Sequence, residues 1–271
     1  MIPMLTSHQV GRALVVTLSR PPVNAINGAW IDRFNAILDG IEPRGDIAVL
    51  HIRSDQKVFS AGADLAVIRD CFASADGPDA MVATVRRLQA LYDRIERLRQ
   101  VTVAEIGGTA LGGGLELALS CDLRVASTDA QLGLPEVRLG LLPGAGGTQR
   151  LTRLCGQGVA QRVILTAELI GGETSRELGM VQWAVAPQEL AAWTANLVAA
   201  VAGLPAAALA ASKRCLAKAG EPGDAGFRAE LQETRQLLDH PETRALVAGF
   251  LERKPETKTQ NPQTERKRVT S

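Results

Sequence analysis

The chain has few of the residues that a disulfide framework, a metal cluster or a charged binding face would need. Its four cysteines, at positions 71, 121, 155 and 215, are widely spaced and form no C-x-x-C pair, so we expect neither disulfides nor a zinc site. Thirty Lys and Arg residues oppose 29 Asp and Glu residues, and the net charge of +1 gives the domain no electrostatic footprint for nucleic acid. Composition therefore predicts reduced thiols, no metal site and no nucleic-acid partner.

Aromatic residues are scarce as well. They make up 3% of the 271 residues, although hydrophobic residues make up 46%, so we expect a large core of aliphatic side chains and alanine. The sequence contains no run of 18 apolar residues and no positively charged start followed by an apolar segment, so neither a membrane span nor a secretory signal is expected. Together with reduced cysteines, these features predict a cytoplasmic protein.

The most informative stretch is GGTALGGGLE at residues 107–116. An apolar run at 101–106 predicts a buried strand before it, and residues 115–119 open a helix, so Gly112–Gly114 lie at a helix start. Glycine is unfavourable there unless the backbone must approach another group closely. The unpaired N–H groups and the dipole of a helix start offer donors to a developing oxyanion, with Glu116 close by. The alternative is a tight turn with a surface glutamate.

Two further segments favour a functional site. Residues 58–65, VFSAGADL, follow another strand-like run, and Asp64 is suited to N-cap a helix. Residues 134–150, LPEVRLGLLPGAGGTQR, contribute Glu136 and another glycine-rich turn. The three motifs in this order closely resemble the enoyl-CoA hydratase/isomerase (crotonase) family, and the resemblance extends over about residues 10–255.

The resemblance implies an α/β fold, the crotonase-like (ClpP/crotonase) spiral of ββα units followed by an all-helical region that packs subunits into trimers. The pattern of the chain itself alternates strands and helices as far as Gly144 and is almost wholly helical afterwards. We expect strands at 13–19, 48–53, 101–106 and 123–126, and helices near 28–40, 64–72, 79–99 and 113–121.

The sequence pattern and the family resemblance together imply three regions. We expect an α/β core at 1–195, a helical region at 196–255 that assembles subunits and closes over coenzyme A, and a basic, disordered tail at 256–271. A nucleic-acid-binding role is the alternative for the tail.

The catalytic groups are implied by the resemblance. The N–H groups of Ala63 and Gly113 form an oxyanion hole for the enolate of an acyl-coenzyme A thioester. Glu136 delivers the α-proton, and Glu116 is the base that orients the water. Two carboxyl groups in an apolar pocket repel each other, and burial raises a carboxyl pKa, so we expect proton exchange near neutral pH. Because the isomerases of the family usually keep only the second glutamate, the pair favours a hydratase.

Contacts with coenzyme A are implied at scattered positions. They are expected at Val23 and Ala25 after the first strand, at Ala61, Asp64 and Leu65 beside the oxyanion hole, at Gly144, and at Phe250 and Arg253 near the end of the helical region. Helix packing is the alternative role of Phe250. Coenzyme A is part of the substrate, so no separate cofactor is expected.

The expected activity is that of an enoyl-CoA hydratase, a hydro-lyase of fatty acid β-oxidation that adds water syn to trans-2-enoyl-CoA and yields 3-hydroxyacyl-CoA. Isomerase, decarboxylase, dehalogenase and thioester hydrolase activities are alternatives within the fold, and a non-enzymatic RNA-binding or scaffold protein is a more remote one. The expected partners are an acyl-CoA thioester and further copies of the chain, in a homotrimer or hexamer. The sequence has neither the G-x-G-x-x-G spacing of a dinucleotide site nor a G-x-S-x-G nucleophile motif.

Overall fold

The computed structural model describes residues 3–252, and its central feature is a six-stranded sheet. The strands are β1 (Leu5–Val10), β2 (Ala13–Leu18), β3 (Val49–Ser54), β4 (Val101–Ile106), β5 (Ala110–Leu111), β6 (Leu123–Ser127), β7 (Gln131–Gly133), β8 (Ile170–Gly171) and β9 (Trp183–Val185). The large sheet has the order β1-β2-β3-β4-β6-β9, and a small sheet has the order β5-β7-β8. In the large sheet β1 and β2 are antiparallel, and the later neighbours are parallel.

Helices connect the strands and form the C-terminal part. They are α1 (Gly28–Ile41), α2 (Leu65–Cys71), α3 (Gly77–Arg97), α4 (Gly113–Leu119), α5 (Gly147–Leu165), α6 (Gly172–Glu177), α7 (Leu190–Ala202), α8 (Ala206–Leu216), α9 (Ala225–Asp239) and α10 (Pro241–Glu252), with a 3₁₀ turn at Pro135–Leu139.

The large sheet is covered on both faces, as parallel sheets generally are. On one face, Trp30 and Phe34 of α1 pack in the main core with side chains such as Leu50 of β3. On the other face, Val103 of β4 packs in a second cluster with Val198 of α7. Because β4 is buried on both sides at all six positions, it forms the centre of the fold.

The expected α/β fold is confirmed. The four expected strands match β2, β3, β4 and β6 to within one residue at each end, and the four expected helices match α1 to α4 to within two. The chain after Gly144 is mostly helical, as expected, but two short strands interrupt it: β8 joins the small sheet, and β9 is the last strand of the large sheet. β9 has only three residues, too few to show a strand period, and β1 was missed because it exposes four of its six residues at the sheet edge.

The C-terminal helices α8, α9 and α10 form the predicted helical region. Lys213 of α8 lies 2.6 Å from Asp122 and ties this region to the core. The expected boundary between residues 195 and 196 falls inside α7, which packs on the sheet. The tail at 256–271 lies outside the described residues. Within residues 3–252 no single helix is long and apolar enough to cross a membrane, and α7 with α8 meets that test only as a pair bent by 100°.

Candidate active site

Two chain segments run side by side and bring the predicted oxyanion donors together. Ser60 forms a parallel bridge with Ala110, and the Leu111 N–H donates to Ser60 O at 2.9 Å. In this register Ala63 and Gly113 each follow the bridge by three residues. Among the hydrogen bonds of residues 3–252, neither of these two N–H groups has an acceptor, and Gly113 is the first residue of α4. The pair is therefore free to donate to a ligand oxygen.

Glycine is required where these segments touch. A Cβ on Gly114 would lie 2.3 Å from Ser60 O, so only glycine lets α4 start against this segment. Gly62 has φ +86°, and a Cβ there would lie 2.8 Å from Leu111 O and 3.0 Å from Gly113 N. The glycines thus place Ala63 and Gly113 side by side, and this contact explains the glycine-rich sequence.

Glu116 is held in place by a second helix. It lies in the first turn of α4 and is only 3% exposed. The N–H of Gly147, the first residue of α5, donates to its Oε1 at 2.7 Å. Burial raises the pKa of Glu116 to about 7; the Gly147 hydrogen bond opposes this shift, and the charge of Glu136 adds to it. Both protonation states of Glu116 are therefore populated near neutral pH.

Glu136 approaches the same place from the 3₁₀ turn Pro135–Leu139. A Cβ on Gly112 would lie 2.9 Å from Glu136 Oε1, which places this carboxyl group next to the start of α4. Its Oε2 is buried and has no hydrogen-bond partner among the described residues. Burial raises the pKa of Glu136. A buried carboxyl group without a partner atom is suited to hold and release a proton.

Arg150 supports the turn that carries Gly147. Its guanidinium is buried and donates to Ala145 O at 3.0 Å, just before the turn. It also lies 2.6 Å from Asp93 and 3.0 Å from Glu96, both on α3. These contacts give Arg150 a structural, salt-bridging role, and its charge also lowers the pKa of Glu116.

A cavity of about 450 Å³ opens at these groups. Seven of the predicted site residues line it: Ala61, Ala63, Leu65, Gly113, Glu116, Glu136 and Gly144. The rest of its wall is largely aliphatic and comes from α2, α3, β5, the end of the 3₁₀ turn and the segment after it: Ile68, Met81, Val82, Val85, Leu88, Leu111, Leu139, Leu141 and Leu142. Among the described lining residues, the two glutamates are the only charged ones.

Other predicted coenzyme A contacts lie away from this cavity. The Asp64 carboxylate caps α2 and pairs with Arg20 at 2.6 Å, and its N–H donates to Ile26 O, so it serves the fold. Val23 O accepts from the Ala61 N–H at 2.9 Å, and Ala25 O accepts from Arg20. These three residues stabilise the loop that carries Ala63.

Of the two predicted C-terminal contacts, only Phe250 lies within the described residues. Phe250 on α10 is 73% exposed and does not line it. Arg253 lies outside the described residues. The closure of this helical region over coenzyme A stays a prediction.

Two contributors to the site were missed in the sequence. The role of Gly147 depends on a contact between residues 31 positions apart, and its only sequence signal is the glycine pair before a helix. Tyr92 shares the helical spacing of the apolar residues of α3 at 81, 85, 88, 92, 95 and 98, a pattern that by itself indicates only a core position. Its hydroxyl donates to Gly113 O at 2.6 Å. The signal available was that it is the only tyrosine of the chain.

Two free backbone N–H groups beside two carboxyl groups in one apolar cavity are suited to an enzyme that stabilises developing negative charge and moves protons. A family model described as enoyl-CoA hydratase/isomerase matches residues 10–261, so the chain belongs to this family. A probable enoyl-CoA hydratase of Bacillus subtilis is 40% identical over 167 residues, which are 62% of this chain and 63% of that protein. The 2,3-dehydroadipyl-CoA hydratase of Escherichia coli is 35% identical over 230 residues, covering 84% of this chain and 86% of the relative. The structure of an enoyl-CoA hydratase from Geobacillus kaustophilus matches with a TM-score of 0.88 at 32% identity, covering 93% of this chain and 95% of the other.

Proposed function

We propose that the protein is an enoyl-CoA hydratase that adds water to the double bond of a trans-2-enoyl-CoA thioester. The observation that carries the proposal is the pair of carboxyl groups in one cavity. Glu116 and Glu136 both have raised pKa values and line the cavity together with the free N–H groups of Ala63 and Gly113. Hydration needs a base for the water and an acid for the α-carbon, and two such groups are present.

In the proposed reaction the thioester carbonyl oxygen accepts hydrogen bonds from the N–H groups of Ala63 and Gly113. Ionised Glu116 takes a proton from a water molecule, and the water oxygen bonds to Cβ of the substrate. The electron pair of the double bond moves to the thioester, where the two N–H groups stabilise the enolate. Glu136 then gives its proton to Cα, which restores the carbonyl and completes 3-hydroxyacyl-CoA.

Isomerisation of a 3-enoyl-CoA is the second candidate. Glu116 Oε1 already accepts the Gly147 N–H, whereas Glu136 Oε2 has no partner among the described residues. Glu136 is thus the freer of the two carboxyl groups, and moving a proton between two carbons needs only one such group.

The cavity wall supports an apolar acyl chain. The side chains of α3 that face it are Met81, Val82, Val85 and Leu88, and those after the 3₁₀ turn are leucines. A second carboxylate on the acyl chain would lose its hydration there and would lie in a cavity whose charged residues are both acidic. We therefore propose that the substrates differ from the dehydroadipyl thioester named for the Escherichia coli relative.

A panel of thioesters tests this function. We expect the protein to hydrate crotonyl-CoA and longer unbranched 2-enoyl-CoA substrates, followed by loss of absorbance of the conjugated double bond. We expect 2,3-dehydroadipyl-CoA to be hydrated with a kcat/KM at least tenfold lower than an uncharged thioester of the same length, because burying its carboxylate is unfavourable. Conversion of 3-enoyl-CoA without hydration of any 2-enoyl-CoA would contradict the hydratase proposal and support the isomerase.

The proposed reaction takes its chemistry from the thioester, the water and two carboxyl groups. Coenzyme A enters and leaves as part of the substrate, so the proposal includes no resident cofactor and no metal. We also propose a cytoplasmic enzyme, for which the four free thiols among the described residues are the supporting observation.

The exposed apolar side chains of α9 support a proposal of self-association. Phe227 and Leu231 are 72% and 73% exposed, one helical turn apart, and Leu238 is 57% exposed. A patch of this kind on a helix usually marks an interface. We expect a homotrimer or a hexamer in solution at micromolar concentration, as measured by light scattering.

A pair of variants tests this assembly. Leu231→Glu should shift the mass to the monomer, because it places a charge in the patch. Val10→Glu changes an apolar residue of β1 that is 59% exposed, and it should leave the mass unchanged. A monomeric wild-type protein would contradict the expectation.

A further inference from the structure

The only tyrosine of the chain lies between the cavity wall and the oxyanion hole. Tyr92 belongs to α3, whose preceding turns contribute Val85 and Leu88 to the cavity wall. Its side chain is fully buried, and its hydroxyl donates to Gly113 O at 2.6 Å. Since a carbonyl can only accept, the direction of this hydrogen bond is fixed.

The acceptor of this bond is the residue whose N–H is proposed to hold the enolate oxygen. Gly113 stands between two other glycines, and none of the three has a side chain that could anchor the backbone. Gly112 has φ +50° and ψ −126°, so the chain turns sharply just before the donor. As the first residue of α4, Gly113 has only one side of its backbone in the helix. The hydroxyl of Tyr92 gives this carbonyl a second, buried contact from outside the helix.

The hydroxyl keeps its proton across the working pH range. Burial raises the pKa of Tyr92 well above its usual value, and the charge of Glu116 raises it further. Tyr92 therefore remains a neutral donor while the carboxyl groups of the site exchange protons. It lines neither the cavity nor any surface that a substrate could reach.

We propose that Tyr92 is a positioning residue: its hydroxyl holds Gly113 so that the Gly113 N–H points at the thioester oxygen, and it couples the α3 wall to the oxyanion hole. The proposal rests on the proposed enolate chemistry but not on the choice between hydration and isomerisation. If the donor is shifted rather than removed, the stabilisation of the enolate should fall by more than the binding of the ground-state thioester. Small displacements of a catalytic group lower kcat strongly in other enzymes.

Tyr92→Phe tests this role, because it keeps the ring in the core and removes only the hydroxyl. We expect kcat to fall about tenfold, less than the 10²–10³-fold typical for loss of a whole oxyanion donor, with KM close to the wild-type value. The second readout is acetoacetyl-CoA, whose enolate absorbs in the near ultraviolet. The fraction of bound enolate should fall by a similar factor in Tyr92→Phe.

Ser120→Ala is the matched control. The Ser120 hydroxyl is also buried and donates to a carbonyl of α4, that of Leu117, at 2.7 Å, but at the far end of the helix. It should lower the melting temperature about as much as Tyr92→Phe and leave kcat and the bound enolate unchanged.

The outcomes separate the two proposals. Equal losses of kcat in Tyr92→Phe and Ser120→Ala would overturn the positioning role. So would a wild-type kcat and a wild-type fraction of bound enolate in Tyr92→Phe, because the hydroxyl would then contribute only to the stability of the core. A wild-type protein that binds acetoacetyl-CoA as enolate but hydrates no 2-enoyl-CoA would overturn the hydratase proposal alone. The fraction of bound enolate in Tyr92→Phe would then still test the role of Tyr92. A wild-type protein that stabilises no enolate would overturn both.

Discussion

Replacing Glu136 with glutamine should lower kcat for hydration of crotonyl-CoA by about 10²–10⁴-fold, the range typical for loss of a positioned general acid. The amide keeps the size of the side chain but cannot deliver a proton to Cα. Binding should change little, because the oxyanion donors and the cavity wall remain, so the loss should appear in kcat and not in KM. Steady-state kinetics on the purified variant measure both constants.

Glu116→Gln distinguishes the two candidate reactions. The amide oxygen can still accept the Gly147 N–H, so the side chain should stay in place. A hydratase should lose about 10²–10⁴-fold here too, since the water then has no base. An isomerase should lose little with Glu116→Gln and almost everything with Glu136→Gln.

Glu168→Gln is a suitable control for both variants. Glu168 pairs with Arg162 on the exposed surface and does not line the cavity. Its replacement should leave kcat at the wild-type value. Hydration that survives both Glu116→Gln and Glu136→Gln would show that the reaction takes place elsewhere.

The second large effect is expected from Gly114→Ala. A Cβ at this position would lie 2.3 Å from Ser60 O and 2.7 Å from Ser60 Cβ, and the first of these is a backbone atom that cannot move aside easily. The start of α4 must then shift away from the segment that carries Ala63. We expect kcat to fall by about 10²–10³-fold, as for removal of an oxyanion donor, together with a lower melting temperature.

Gly158→Ala controls for the added methyl group. Gly158 lies in α5, and a Cβ there would have no neighbour within 4 Å. This variant should keep wild-type kcat and melt no earlier than the wild type, because alanine favours the helix. Full activity in Gly114→Ala would mean that the contact between α4 and Ser60 does not set the donor geometry.

Much of the fold could be predicted because its central elements have strong local signals. β4 is a largely apolar run that is buried on both faces, and α3 repeats its apolar residues with the helical period. The short strands β5, β7, β8 and β9 have two or three residues each, and no period can be detected over that length. Their place in the sheets depends on the packing of distant segments, which local sequence does not encode.

The same division applies to the site. The roles of the glutamates and of the oxyanion residues were expected from the family resemblance that the three motifs carry. The hydrogen bonds that hold those groups were not predicted. The bond from the Gly147 N–H to Glu116 and the bond from the Tyr92 hydroxyl to Gly113 each join segments 20 or more positions apart. Such a bond leaves no pattern in either segment, and only the folded chain brings its two ends together.

The placement of the cavity wall has a consequence for how this protein can diverge. α4, with the chemistry at its start, is buried at all seven positions, whereas α2 has no buried residue, and Leu65 and Val82 on the wall are 70% and 58% exposed. Surface substitutions generally change stability by no more than about 0.5 kcal/mol, while buried ones change it by several times that amount. Mutations that reshape the acyl wall are therefore tolerated far more readily than mutations of the catalytic helix. Descendants of this chain can acquire new acyl preferences with the same chemistry, and Tyr92 marks the point on α3 where that freedom ends.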